Sequence, residues 1–100
     1  KYEWINEIDG FKTTAEYVTG KSASVNWPLT AYYSGFNSTT LSLKKEDLKE
    51  YLYENNISFV VASSKAWWVD SYASNFSFFD SQNYLSEVAE VNDSYQTYRV

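Results

Sequence analysis

The run from Lys44 to Asn55, followed at once by Ile57 to Ala62, constrains the fold more than any other part of the chain. Leu48, Tyr51 and Leu52 recur at the spacing that lines one face of a helix, while Lys45, Glu46, Lys49 and Glu50 make a wet face. Asn55-Asn56 can stop that helix. The segment Ile57-Ser58-Phe59-Val60-Val61-Ala62 is nearly continuous in apolar character and of strand length, which suits a central strand covered on both faces. Thr39-Thr40-Leu41-Ser42-Leu43 alternates and reads as the strand before the helix. Strand, helix and strand joined by a short turn favour a right-handed parallel crossover, so the sheet is expected to be at least partly parallel.

The remaining elements are placed around this unit. Trp4, Ile5 and Ile8 share a helical face, and the spacing predicts a short helix ending near Asp9-Gly10, with Gly10 in the left-handed position past its end. Thr13 to Thr19 is rich in β-branched and aromatic residues and is expected to be a first strand. Asn26-Trp27-Pro28-Leu29 reads as a helix start, because proline in a first turn leaves no hydrogen bond unmade, and Gly35 as its stop. Ser63-Ser64 can cap a further helix carrying Trp67, Trp68 and Tyr72. Glu87 to Val91 and Tyr95 to Val100 flank Asn92-Asp93-Ser94 as a closing hairpin. The expected fold is one small α/β domain over residues 1–100, with a two-layer or three-layer Rossmann-like sheet, partly parallel, and a C-terminal antiparallel hairpin.

Composition narrows function mostly by exclusion. With 44% apolar residues in 100, the chain can bury one core. It has neither His nor Cys, which removes the common acyl-transfer triads, thiolate and His-rich zinc sites, disulfides and the usual general base at neutral pH. Net charge is −5 and the basic residues are scattered, so no stripe is available to follow phosphates and nucleic acid is not an expected partner. Glycine occurs only at positions 10, 20 and 35, which builds no phosphate-cradling loop, and no cofactor is implied. No apolar run is long enough to span a bilayer. The start Lys1-Tyr2-Glu3-Trp4 and the absence of methionine point to a piece of a longer protein.

Four positions carry the acceptor sequence for N-glycosylation: Asn37, Asn56, Asn75 and Asn92. Chance supplies such triplets in a chain rich in Asn and Ser, and a glycan on Asn56 is expected to be awkward so close to a buried strand. Asp70 and Asp80 lie near aromatic residues and could serve as a carboxylate pair for glycoside chemistry, although solvated or capping roles are the simpler reading. Ser63-Ser64-Lys65 follows the best strand at the edge where open α/β sheets bind ligands, with a helix cap again the simpler reading. Trp27, Tyr32, Tyr33, Trp67 and Trp68 offer flat faces for a sugar or a partner, since core packing explains only one residue of each adjacent pair.

The order Trp4-Ile5, then Trp27-Pro28-Leu29 running to Tyr32-Tyr33-Ser34-Gly35, then Tyr51-Leu52 to Asn55-Asn56-Ile57-Ser58-Phe59-Val60-Val61, then Tyr95-Gln96-Thr97-Tyr98-Arg99-Val100, resembles a known kind of domain. It is similar to the soluble C-terminal extracytoplasmic domain of archaeal multi-span membrane proteins related to polyprenyl-phosphate-dependent glycosyltransferases of the dolichyl-phosphate-mannose type. Thr97 stands where that pattern usually has an aliphatic residue. The resemblance implies a domain on the extracytoplasmic face of a membrane whose partner is the membrane-embedded part of the same polypeptide. A glycan or lipid-linked sugar is the further partner it implies. Catalytic carboxylates of such proteins lie between membrane spans, so it assigns no catalytic residue here. The expected role is non-catalytic and accessory, with a cell-surface carbohydrate-binding module as the alternative.

Overall fold

The computed structural model describes residues 2–41, 44–65 and 71–100. Five strands form one mixed sheet in the order β2-β1-β3-β5-β4: β1 is Ser22–Ser24, β2 Ser38–Thr40, β3 Phe59–Ser63, β4 Ser86–Val91 and β5 Tyr95–Arg99. β2, β1 and β3 are parallel, whereas β5 pairs antiparallel with both β3 and β4. The sheet is therefore partly parallel and ends in the expected hairpin. β2 and β3 run parallel, as the strand, helix, strand order requires, yet β1 lies between them.

Among the described residues four helices cover this sheet: α1 (Tyr2–Ala15), α2 (Trp27–Ser34), α3 (Leu48–Glu54, preceded by a 3-10 turn at Lys45–Asp47) and α4 (Phe76–Asp80, preceded by a 3-10 turn at Ser71–Ser74). Tyr95 and Tyr98, three apart on β5, point to opposite faces. The Tyr95 ring meets Phe11 of α1 edge-on at 5.1 Å between centroids. Tyr98 packs on Phe79 of α4 at 5.4 Å. Helices thus lie on both faces in three layers. α2 packs beside α1 and over β1 and β2. Because the chain reverses its direction across the sheet after β2, the right-handed rule carries α3 to the face opposite α2.

Two expectations for the N-terminal region are corrected. α1 does not end at Gly10 but runs on to Ala15, and Thr13–Thr19 is a helix end and turn rather than a strand. Phe11, Thr14, Ala15 and Val18 are all buried and follow the helical period, which outweighs the strand propensity of the threonines. The Thr14 hydroxyl is satisfied inside the helix, donating to the Gly10 carbonyl at 2.7 Å. The first strand is instead Ser-Ala-Ser, fully buried. Its small side chains suit a position between two parallel strands under close-packed helices.

The middle of the chain folds nearly as its residues dictate. Asn26 caps α2, its side chain accepting from the Leu29 amide at 3.3 Å, Pro28 sits in the first turn, and Gly35 takes the left-handed conformation (φ 79) that closes the helix. β3 is buried at every position. Ser63 is the last residue of β3, and its hydroxyl accepts from the Lys65 amide at 3.1 Å. The helix expected to follow it, with Trp67 and Trp68, lies outside the described residues, while Tyr72 belongs to the 3-10 turn.

Candidate functional site

α2 is the most unusual element of the surface. Thr30 is buried and Leu29 packs on the core, yet Trp27 is 48% exposed, Tyr32 is 79% exposed, and Phe36 just past the helix is also exposed. Pro28, Tyr32 and Phe36 follow one another at intervals of four. No charged residue occurs from Ser22 to Leu43, so the segment that carries these rings is itself uncharged. Tyr32 and Tyr33 meet edge to face at 5.0 Å and 82°, which gives a rigid corner and no coplanar two-ring platform. Trp67 and Trp68 fall outside the described residues.

A second feature lies at the carboxyl edge of the parallel strands, where doubly wound sheets bind ligands. A depression of about 360 Å³ is lined by Asp9, Lys65, Asn92, Ser94 and Tyr95. Lys65 follows β3, Asn92 and Ser94 form the β4–β5 turn, Tyr95 opens β5, and Asp9 comes from α1. Two hydrogen bonds fix its floor: the Ser64 amide donates to the Ser94 carbonyl at 2.9 Å, and the Lys65 amide to Ser63 as above. Asn92 and Asp93 both have left-handed backbone (φ 53 and 57), the turn chemistry of a tight hairpin that these residue types tolerate. Reading the sequence singled out Ser63-Ser64-Lys65 and the hairpin turn separately and missed Asp9. The register of Ser63 opposite Tyr95 joins the first two, and the packing of Phe11 on Tyr95 brings Asp9 of α1 to them.

Of the two carboxylates considered for glycoside chemistry, the structure describes Asp80. Asp70 lies outside the described residues, and Asp80 Oδ1 accepts from the Tyr98 hydroxyl at 2.9 Å. That hydroxyl also lies against Gln96 Oε1, and the Gln96 amide donates to Glu90 Oε1 at 3.0 Å. Burial first, and the bond to Asp80 second, push the Tyr98 phenol far above the usual tyrosine range, which keeps it a neutral donor. Two carboxyls sit above the usual range because each shares a hydrogen bond with a neighbouring acid: Glu54 with Glu50, and Glu90 with Asp93. Glu50 and Glu54 line a shallow depression of about 240 Å³ with Asp47 and Tyr51. Among the described residues no group of three or more carboxylates is gathered as metal ligands would be, and no helix is long and apolar enough to cross a membrane.

All four glycosylation acceptors, Asn37, Asn56, Asn75 and Asn92, have exposed residues. Asn56 sits exposed in the turn after α3 with left-handed backbone (φ 54), three residues before β3 begins. Asn75 caps α4, accepting from the Ser77 amide at 3.0 Å.

No family model, no curated protein and no solved structure matches this chain.

Proposed function

We propose that the chain is a non-catalytic extracytoplasmic accessory domain of a glycosyltransferase-like membrane protein, which covers or shapes the site of the membrane-embedded part. The observation that carries the reading is α2. The segment Trp27-Pro28-Leu29 to Gly35, one of the four on which the resemblance to such domains rests, divides cleanly between two tasks. Asn26, Pro28, Thr30 and Gly35 make and seat the helix, while Trp27 and Tyr32 stand out into solvent on a segment without charged residues. Exposed rings on a neutral, rigid helix suit a surface that another body covers, because aromatic anchors contribute much of the energy of such contacts.

The test compares the complete membrane polypeptide with its Trp27→Ala, Tyr32→Ala variant for transfer of sugar from a polyprenyl-phosphate donor, together with the melting temperature of the isolated domain. Tyr32 is mostly exposed and Trp27 about half exposed, so the domain should stay folded at a cost of about 1–2 kcal/mol. Reduced transfer with an intact domain is the expected result; unchanged transfer, or turnover by the isolated domain, overturns the reading. Intrinsic tryptophan fluorescence of the isolated domain during titration with free oligosaccharides decides the second reading. A saturable change abolished by Tyr32→Ala would make the same face a carbohydrate-binding module.

A further inference from the structure

We propose that the depression at the carboxyl edge of β3 binds a small zwitterion, a molecule carrying a primary ammonium and a carboxylate or phosphate, with the ammonium at Asp9 and the anionic group at Lys65. The depression is lined by an acidic and a basic residue, both exposed, and neither side chain has a hydrogen-bond or ion-pair partner among the described residues, including each other. A simple anion would gain Lys65 and meet Asp9 on a chain of net charge −5, and a simple cation would gain Asp9 and meet Lys65. Only a ligand bearing both signs satisfies the two groups together.

Size and polarity agree with that class. About 360 Å³ falls at the small end of ligand sites, which run from about 300 to 1,000 Å³. Asn92 and Ser94 add an amide and a hydroxyl. Among the described lining residues Tyr95 is the one aromatic, and it is 2% exposed and packs against Phe11, so it offers a sugar no face to stack on. The floor is preorganised by the Ser64–Ser94 and Ser63–Lys65 hydrogen bonds, so ordering it costs little on binding.

The experiment is a titration of the isotopically labelled domain followed by amide chemical shifts, with glycine and O-phosphoethanolamine as probes and acetate, methylamine and glucose as controls. Saturable shifts of the Asp9, Lys65, Asn92 and Ser94 amides in the millimolar range are expected with one or both zwitterions, at least fivefold weaker with acetate or methylamine. Asp9→Asn and Lys65→Met should each weaken binding about two- to fivefold, as partly solvated ion pairs do, without altering the spectrum elsewhere. Vesicles containing phosphatidylethanolamine, compared with phosphatidylcholine alone, distinguish a lipid headgroup from a free ligand: selective broadening of the same amides identifies the bilayer, and its absence the free molecule. Failure of both zwitterions to saturate, acetate binding as tightly as glycine, or glucose saturating the same amides would each overturn the proposal.

Discussion

Replacing Gly10 by alanine sets two physical effects against each other. Inside a helix, Gly→Ala is favourable by about 1 kcal/mol. Here, however, a β-carbon built on Gly10 falls 2.7 Å from Cδ2 of Tyr95 and closer still to Cε2 and Cζ of the same ring. That ring is 2% exposed and held edge-on by Phe11, so it has little room to retreat. Overpacking of this kind costs about 3 kcal/mol when several atoms are struck, leaving a net loss of about 2 kcal/mol. For a domain of this size that lowers the melting temperature by about 8–16 °C. A loss alone does not prove the contact, because a glycine in the left-handed position past a helix end also resists alanine, at about 1 kcal/mol. The background Tyr95→Leu separates the two. With the ring gone, Gly10→Ala should become neutral or stabilising, and thermal melts of the four members of the cycle should give a coupling of 2 kcal/mol or so. An equal cost in both backgrounds would refute the packing of α1 on β5.

Thr97→Val should raise stability by about 1 kcal/mol in a urea melt, because the Thr97 hydroxyl is fully buried in β5 without a hydrogen-bond partner and a methyl fills the same space. Tyr98→Phe removes the donor to Asp80 and should cost about 1 kcal/mol at pH 7. It should also reduce the alkaline loss of stability: the folded phenol titrates above the unfolded one, so its contribution is complete below about pH 10 and falls by about 1.4 kcal/mol per pH unit above it. Melts of parent and variant from pH 7 to 11 check this, and parallel curves would refute it. Glu50→Gln relieves the pair with Glu54. Since the folded Glu54 carboxyl titrates above its unfolded value, its contribution is present at low pH and lost as pH rises through it, so the variant should melt higher at pH 7 and lose part of the gain on acidification toward about pH 4.

The parts of the fold that were readable in the sequence are those where local and tertiary demands agree. Leu48 and Leu52 form a helical stripe and are fully buried, the strand after them is apolar throughout, and Asn26, Pro28 and Gly35 mark α2 by capping chemistry that needs no distant partner. The N-terminal region misled because its decisive contact is remote. Gly10 lies within α1 to admit Tyr95, a residue far along the chain, and nothing near Gly10 distinguishes that role from a helix stop. β1 hid for a related reason, since Ser22-Ala23-Ser24 has little strand propensity and owes its place to the neighbours it pairs with. Its serines are satisfied by other side chains: Ser22 donates to Ser38 at 2.8 Å, and Ser24 shares a hydrogen bond with Thr30 at 2.8 Å. The exposed rings of α2 were foreseen from the excess of aromatics. The zwitterion depression was not, because Lys65 and Ser94 meet through strand order and Asp9 joins them through the packing of α1 on β5.

Strand direction also ties the two surface features together. Asn26 and Trp27 follow β1, Lys65 follows β3, and the turn from Asn92 to Ser94 precedes β5, which runs antiparallel to β3. All three therefore emerge at one edge of the sheet, and a body docked over Trp27 would lie beside the depression. Asn37 and Asn56 precede β2 and β3 and sit at the other edge, so glycans there leave the first edge free. Asn92 differs, because it lines the depression itself. A glycan on Asn92 would compete with any ligand beside Asp9 and Lys65, whereas glycans on Asn37 or Asn56 would not. If the zwitterion site operates, modification at Asn92 should abolish the glycine-dependent shifts that modification at the other two positions leaves intact.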